Sequence, residues 1–262
     1  MAETVGEACR TVLLTAEPRA KVMTARRVAR DWRAGRLAQL SDTAMPDTPA
    51  RPAAPELRPP REMPRRSGGA KGRVALLHAL AHIEFSAIDL AFDLIGRFGG
   101  DMPRAFVDDW MQVGADEALH FALLDRRLHA LGSHYGAMPA HDGLWDAARD
   151  TRHDLAARLA VVPLVLEARA LDVTPQIIDR LERAGDHRSS RILSRIASDE
   201  VNHVAAGVKW FQNLAILNDF NPAERFQTLV REHFRGAIKP PFNDSARCEA
   251  GLTPEYYSAL AD

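Results

Sequence analysis

Two short motifs in this chain of 262 residues pair a carboxylate with an imidazole three positions on, Glu117-Ala-Leu-His120 and Glu200-Val-Asn-His203. On an α-helix, residues three apart share a face, so each motif aims both side chains at one point. Carboxylates and imidazoles together suit iron and manganese. Taken singly the motif is weak, because residue frequencies alone supply roughly one for every two chains of this composition. Its surroundings make it strong. An aspartate, Asp116 or Asp199, precedes each motif, and Glu84 and Glu167 each lie 33 residues upstream of the motif glutamate. Each upstream glutamate opens the same pattern, Glu84-x-x-Ala87-Ile88-Asp89 and Glu167-x-x-Ala170-Leu171-Asp172. Segments 84–120 and 167–203 are thus an internal repeat offset by 83 residues.

A two-helix hairpin used twice would bring Glu84, Glu117, His120, Glu167, Glu200 and His203 to a pseudo-twofold axis. Four buried carboxylates with two imidazoles leave excess negative charge, which is costly without a compensating cation. The nearest basic residue, Arg169, lies two positions from Glu167 and so on another face of its helix. A pair of metal ions therefore accounts for the set better than a buried salt-bridge network.

The elements that must position these groups are legible from periodicity and punctuation. Four long helical patterns run over about 70–98, 103–132, 143–172 and 187–217. Segments of 25–30 residues make rods of roughly 40 Å at ~1.5 Å per residue, the dimensions of a four-helix bundle. The first ends at Gly99-Gly100, and the short link to Asp101 and Pro103 makes the first two helices antiparallel neighbours. The 132–142 connection is long enough to cross the end or side of a bundle. Thr174-Pro175 predicts a short additional helix ending at Gly185. Pro163, four residues before Glu167, predicts a kink in the third helix.

The expected organisation is an N-terminal helical segment (1–45, with a helix around Lys21–Leu37), a strap (46–68), the bundle (69–220) and a C-terminal tail (221–262). Seven prolines within 46–64 make the strap extended, and its Leu57 and Met63 suggest that it lies on the domain. The tail combines a helix after Pro222, an extended Lys239-Pro240-Pro241-Phe242 stretch and a turn at Thr253-Pro254. No strand pattern competes, so the fold class is all-α.

One glutamate from each of two helices plus Glu-x-x-His from each of the other two resembles the ligand set of the ferritin-like di-iron and di-manganese carboxylate proteins. The aspartate before each motif resembles that of the bacterial multicomponent monooxygenases. The resemblance implies that Asp116 and Asp199 accept the far N–H of His120 or His203 and so fix its tautomer and orientation. More narrowly, the chain is similar to an uncharacterised bacterial family of ferritin-like proteins with no established activity. Met63-Pro64-Arg65-Arg66, His82-Ile83-Glu84, Leu166-Glu167-Ala168-Arg169 and Lys239-Pro240-Pro241-Phe242-Asn243 carry that likeness.

The expected cofactor is two metal ions, iron by preference, with manganese or a mixed pair also suited. A ferrous pair can deliver electrons to O₂, and no catalytic residue beyond the ligands is singled out. The strap and the tail add more chain than a cage ferritin needs. The expected function is accordingly a di-iron oxidase or monooxygenase acting with O₂ on a small organic substrate. The alternatives are a non-catalytic iron or manganese handling protein and an interaction protein with a structural metal.

Other polar residues have plainer readings. His78 and His82 form an i, i+4 pair, but His82 sits about 200° round the helix from Glu84, which predicts a surface or strap contact. Asp89 and Asp172 read equally well as partners near the site or between helices and as exposed or capping residues. Leu80, Ile88, Val113, Phe121, Leu124, Ile196, Trp110 and Trp210 read as core.

Composition limits the partners. Hydrophobic residues make up 46% and charged residues 26%, with a formal net charge of −1, which asks for neither nucleic acid nor membrane. Eight Lys/Arg in residues 1–40 leave a polyanion open as a partner, although a solvated helix face explains them as well. A homodimer is compatible with this profile. The two cysteines, Cys9 and Cys248, have no metal-finger or redox spacing, and Glu3 and Glu7 replace the positive charge of a signal peptide. No apolar run approaches a membrane span. The expected location is the cytoplasm.

Overall fold

The computed structural model describes residues 3–40, 43–63 and 69–261; Pro64, Arg65 and Arg66 of the strap motif lie outside them. The described residues are all-helical, with three isolated bridges and no strand. The chain divides into two compact units, 1–146 and 147–262, and each contains one copy of the internal repeat.

In the first unit the repeat forms a hairpin of α3 (Gly69–Phe98) and α4 (Arg104–Ala130), the most extensive helix pairing in the chain. Gly114 permits the close approach, since a Cβ there would meet Phe92 Cε2 at 2.7 Å. Two N-terminal helices cover the hairpin: α1 (Val5–Leu13) packs on α3, and α2 (Pro18–Arg33) packs on α4. Sequence periodicity missed α1, yet its start is written in a capping box. Thr4 Oγ1 accepts from the Glu7 amide and the Glu7 carboxylate accepts from the Thr4 amide. The second helix begins three residues before the expected Lys21, with Glu17 as N-cap and Pro18 in its first turn.

By length and composition α3 would cross a membrane, a property the sequence reading overlooked, but 72% of its apolar window is buried inside the protein. Among its buried residues is Asp89, which receives Lys21 of α2 and Arg51 of the strap. Burial, the largest influence on both, pushes the Lys21 ammonium below and the Asp89 carboxyl above its ordinary pKa, and their mutual attraction opposes both shifts. Arg51 also donates to Asp142 at 2.9 Å. The strap is thereby tied both to α3 and to the 132–142 connection. It pairs with that connection through Arg58 N to Ala140 O at 2.8 Å and Ala140 N to Glu56 O at 3.0 Å.

Helix α5 (Gly143–Asp150) is separated from α6 (Leu155–Val161) by a turn, where the sequence pattern predicts one continuous helix over 143–172. Asp154 caps α6 by accepting from Ala157 N at 3.1 Å. Buried Arg158 reaches back to Ala148 O at 2.5 Å and Thr151 Oγ1 at 3.1 Å, satisfying groups that a helix interruption exposes.

The second unit builds its hairpin from α6, a π-helical segment (Val162–Glu167), α7 (Ala168–Arg183) and α8 (His187–Leu217). The kink expected at Pro163 is this π segment. Proline cannot donate to the α ladder, and the chain continues with wider turns instead of stopping. Gly207 of α8 makes room for it, because a Cβ there would lie 2.6 Å from Pro163 Cβ.

The separate helix expected after Thr174-Pro175 does not form, and α7 runs through Pro175 to Arg183. An internal proline leaves the carbonyl four residues earlier without its helical donor, here that of Leu171. Asn243 of the tail supplies the replacement, Nδ2 to Leu171 O at 3.1 Å.

The tail comprises α9 (Pro222–His233), α10 (Asp244–Glu249) and α11 (Pro254–Tyr257), with α9 packing on α6 and α10 on α7 and α8. Its anchor is Arg247, which donates to both oxygens of buried Asp172 at 2.8 and 2.7 Å. The repeat thus places an aspartate five residues after each upstream glutamate, and each aspartate clamps the segment that covers its own hairpin.

Breaking a buried ion pair from one side strands the other charge and costs about 3–5 kcal/mol, whereas replacing both partners by apolar groups is far milder. Asp172→Ala should lower the unfolding free energy by that amount in urea titrations. Asp172→Leu combined with Arg247→Met should recover most of the loss.

Candidate metal centre

In the first unit, Glu117 and His120 lie one turn apart on α4 and share a face with which Glu84 of α3 converges. All three are buried, and one ligand atom from each lies within 4.8 Å of the others. His120 Nδ1 is 3.2 Å from Glu84 Oε2 and 3.6 Å from Glu117 Oε2. Burial disfavours charge on His120, but hydrogen bonds and charges from Glu117 and Glu84 outweigh it and raise its pKa to about 11. Without a metal, then, the imidazole carries a proton that partly balances two carboxylates. Lys21 and Arg51 of the same unit are committed to Asp89 and Asp142. Two carboxylates and an imidazole in one dry pocket are a donor set that could hold a divalent ion.

The second unit carries the counterpart. Glu200 and His203 of α8 are buried, with His203 Nδ1 3.6 Å from Glu200 Oε1. Glu167 is half-buried at the end of the π segment. Asp116 and Asp199 are half-buried one residue before their motifs, and each is held by the residue four positions earlier. Gln112 Nε2 donates to Asp116 at 2.9 and 3.0 Å, and Arg195 Nε donates to Asp199 at 2.6 Å.

Most residues read as core are buried, including Trp110 and Trp210, while Leu80 is half-buried. His78 and His82 are not surface residues. Both are buried, and both hold the 132–142 connection against α3. Gly136 N donates to His78 Nε2 at 2.9 Å, and His82 bonds the Tyr135 hydroxyl at 2.9 Å and His141 O at 3.1 Å. The Tyr135 ring stacks on both imidazoles. Gly136 has φ of 98°, a conformation that favours glycine, and it abuts Ala54 of the strap. No sequence spacing links His78 to Gly136, so this role had no readable signal. His78 Nε2 and both ring nitrogens of His82 are thus engaged in contacts that hold the fold.

A family model described as "Protein of unknown function (DUF455)" matches residues 14–258. The chain is 36% identical over 259 residues to an "Uncharacterized protein" of Haemophilus influenzae, covering 93% of this chain and 88% of the relative. No solved structure matches.

Burial lowers the pKa of His78 to about 4, from an unfolded value near 6.5. Between those values the unfolded chain binds the extra proton, so stability is complete above about pH 6.5 and falls as the pH drops toward 4. Each pH unit costs up to about 1.4 kcal/mol. His78→Gln keeps an acceptor but does not titrate. Urea unfolding of this variant should show a correspondingly shallower loss from pH 6.5 to 4.

Proposed function

We propose that this chain, which belongs to the DUF455 family, is a di-metal carboxylate oxidoreductase that uses O₂ on a small organic substrate. In this reading the hairpin α3–α4 and the hairpin from α6 to α8 associate as a ferritin-like four-helix bundle. Glu84, Glu117, His120, Glu167, Glu200 and His203 then hold two metal ions, iron by preference. The observation that carries the reading is the buried Glu84–Glu117–His120 group, whose residue types and spacing recur in Glu167, Glu200 and His203. Such a set has a use for cations and none for water.

When bound, a ferrous pair supplies the electrons that activate O₂. The protein's part is to hold the ions and exclude solvent. Glu117 with His120, and Glu200 with His203, each offer a carboxylate and an imidazole from one helix face. Glu84 and Glu167 supply the further carboxylates that offset metal charge. Asp116 and Asp199 accept the far N–H of a ligand histidine, which fixes the ring and raises its basicity. For His120 a metal must compete with the proton that Glu84 and Glu117 retain there. The strap and the tail, clamped by Asp89 and Asp172, favour an enzyme over a storage protein, which has little use for anchored covers.

The test begins with anaerobic loading of the whole protein with Fe(II), followed by counting iron and mixing with O₂. The expected result is about two irons per chain and a rapid absorbance change on oxygenation. Glu117→Ala and Glu200→Ala should each bring the content below one iron per chain with helicity retained. Unchanged stoichiometry in both variants would overturn the ligand assignment. Accumulation of many irons per chain would establish storage instead. A redox-silent metal whose chelation unfolds the protein would establish a structural role.

A further inference from the structure

Under the tail of the second unit lies a cavity of about 120 Å³ that the metal reading leaves unused. One wall is Leu164 and Val165 of the π segment, and the facing wall is Phe234, Ile238 and Phe242 of the tail. Arg169, Lys239 and Arg247 also line it, with Asp172. The motifs Leu166-Glu167-Ala168-Arg169 and Lys239-Pro240-Pro241-Phe242-Asn243 meet at this point. Arg169 Nη1 donates to Lys239 O at 2.7 Å, and Asn243 N donates to Asp172 Oδ1 at 3.0 Å.

We propose that this cavity binds a small carboxylate with an apolar body, the body lying between the π segment and the tail and the carboxylate meeting Arg169. The charges on the lining support it. Two guanidiniums share the one carboxylate of Asp172, and they share it unequally. Arg247 takes both of its oxygens and lies over the rings of Phe242 and Tyr257 at 5.0 and 4.5 Å, which fixes it as part of the wall. Arg169 reaches Asp172 only through Nη1, at 3.3 Å, and its remaining contacts are the carbonyl oxygens of Lys239 and Pro241. Its side chain is 43% exposed. With Lys239 beside it, the lining carries three positive groups against one negative group. Arginine presents a planar fork of donors that matches a carboxylate.

The walls set the other half of the ligand. An apolar cavity of about 150 Å³ admits benzene, so 120 Å³ suits a body of about five carbons, the chain of hexanoate. Arg169 lies two positions past Glu167, and Glu167 is not among the residues that line the cavity. The site is therefore separate from the metal ligands, and the proposal stands whether or not the metal reading does.

Calorimetric titration of the full chain with hexanoate, 1-hexanol and acetate tests it. Hexanoate should bind saturably at one site per chain, with the alcohol and acetate at least tenfold weaker. Arg169→Met, at a part-exposed position, should weaken hexanoate at least tenfold, leave the alcohol unchanged and leave the circular dichroism spectrum intact. Val165→Phe, which fills the cavity, should remove hexanoate binding as well. Equal binding of hexanoate and hexanol would overturn the proposal, as would equal binding of acetate. So would hexanoate binding indifferent to Arg169→Met, the result expected of a carboxylate captured by metal, or no saturable binding to the folded protein.

Discussion

Moving a carboxylate out of water is tolerable only when a cation takes the water's place, and the architecture follows from where those cations come from. Asp89 receives its cations from α2 and the strap, and Asp172 receives its own from the tail. In both units the covering segment is fastened by charge at one buried point, while apolar packing fills the area around it. These segments bury apolar side chains of their own, Val28 and Trp32 in α2 and Phe226 and Tyr257 in the tail. A buried aspartate gives each of them a single destination.

The glutamates of the candidate centre meet the same constraint with a different solution. Glu84 and Glu117 lie in the same unit as Lys21 and Arg51, and a neighbouring imidazole, that of His120, comes to both of them. The repeat therefore contains two kinds of buried acid. One kind is paired with Lys or Arg within the fold, and the other is grouped with an imidazole in a set that could hold a metal ion. This division separates a structural anchor from a ligand more sharply than burial does, because both kinds are equally dry.

The sequence exposes this plan unevenly. The limits of α3, α4 and α8 are legible because glycine pairs, an Asp-x-Pro start and uninterrupted periodicity mark them. The candidate ligands are legible because helix geometry turns a three-residue spacing into a shared face. The continuation of α7 through Pro175 is not, since the compensating donor, Asn243, lies far along the chain and no local rule refers to it. The break at 151–154 hides behind good helix formers, and only Asp154 signals a fresh cap. For His78 and His82 a surface or strap contact is all that the sequence predicts, because helical phase locates them relative to Glu84 but says nothing of which loop arrives to cover them. Asp89 and Asp172 were ambiguous for a related reason. A carboxylate's partner is a tertiary fact, and Lys21, Arg51 and Arg247 share no spacing with them.

The π segment at 162–167 has a consequence for how the second unit tolerates change in length. A π turn is equivalent to one residue more than an α-helix requires over the same stretch, and each residue of helix turns the chain by about 100°. Everything from Ala168 onward is thus rotated and advanced relative to α6 by one residue's worth of phase, and Glu167 stands at the seam. A deletion of one residue inside 162–166 would let an ordinary α-helix form, which is locally the easier structure. Because the π turn absorbs that one residue, the deletion would leave α6 and its packing partner α9 close to their present phase with α7 while removing the wide turn beside Glu167. The segment is thus the place in the second unit where one residue of length can be lost with both flanking helices still in register.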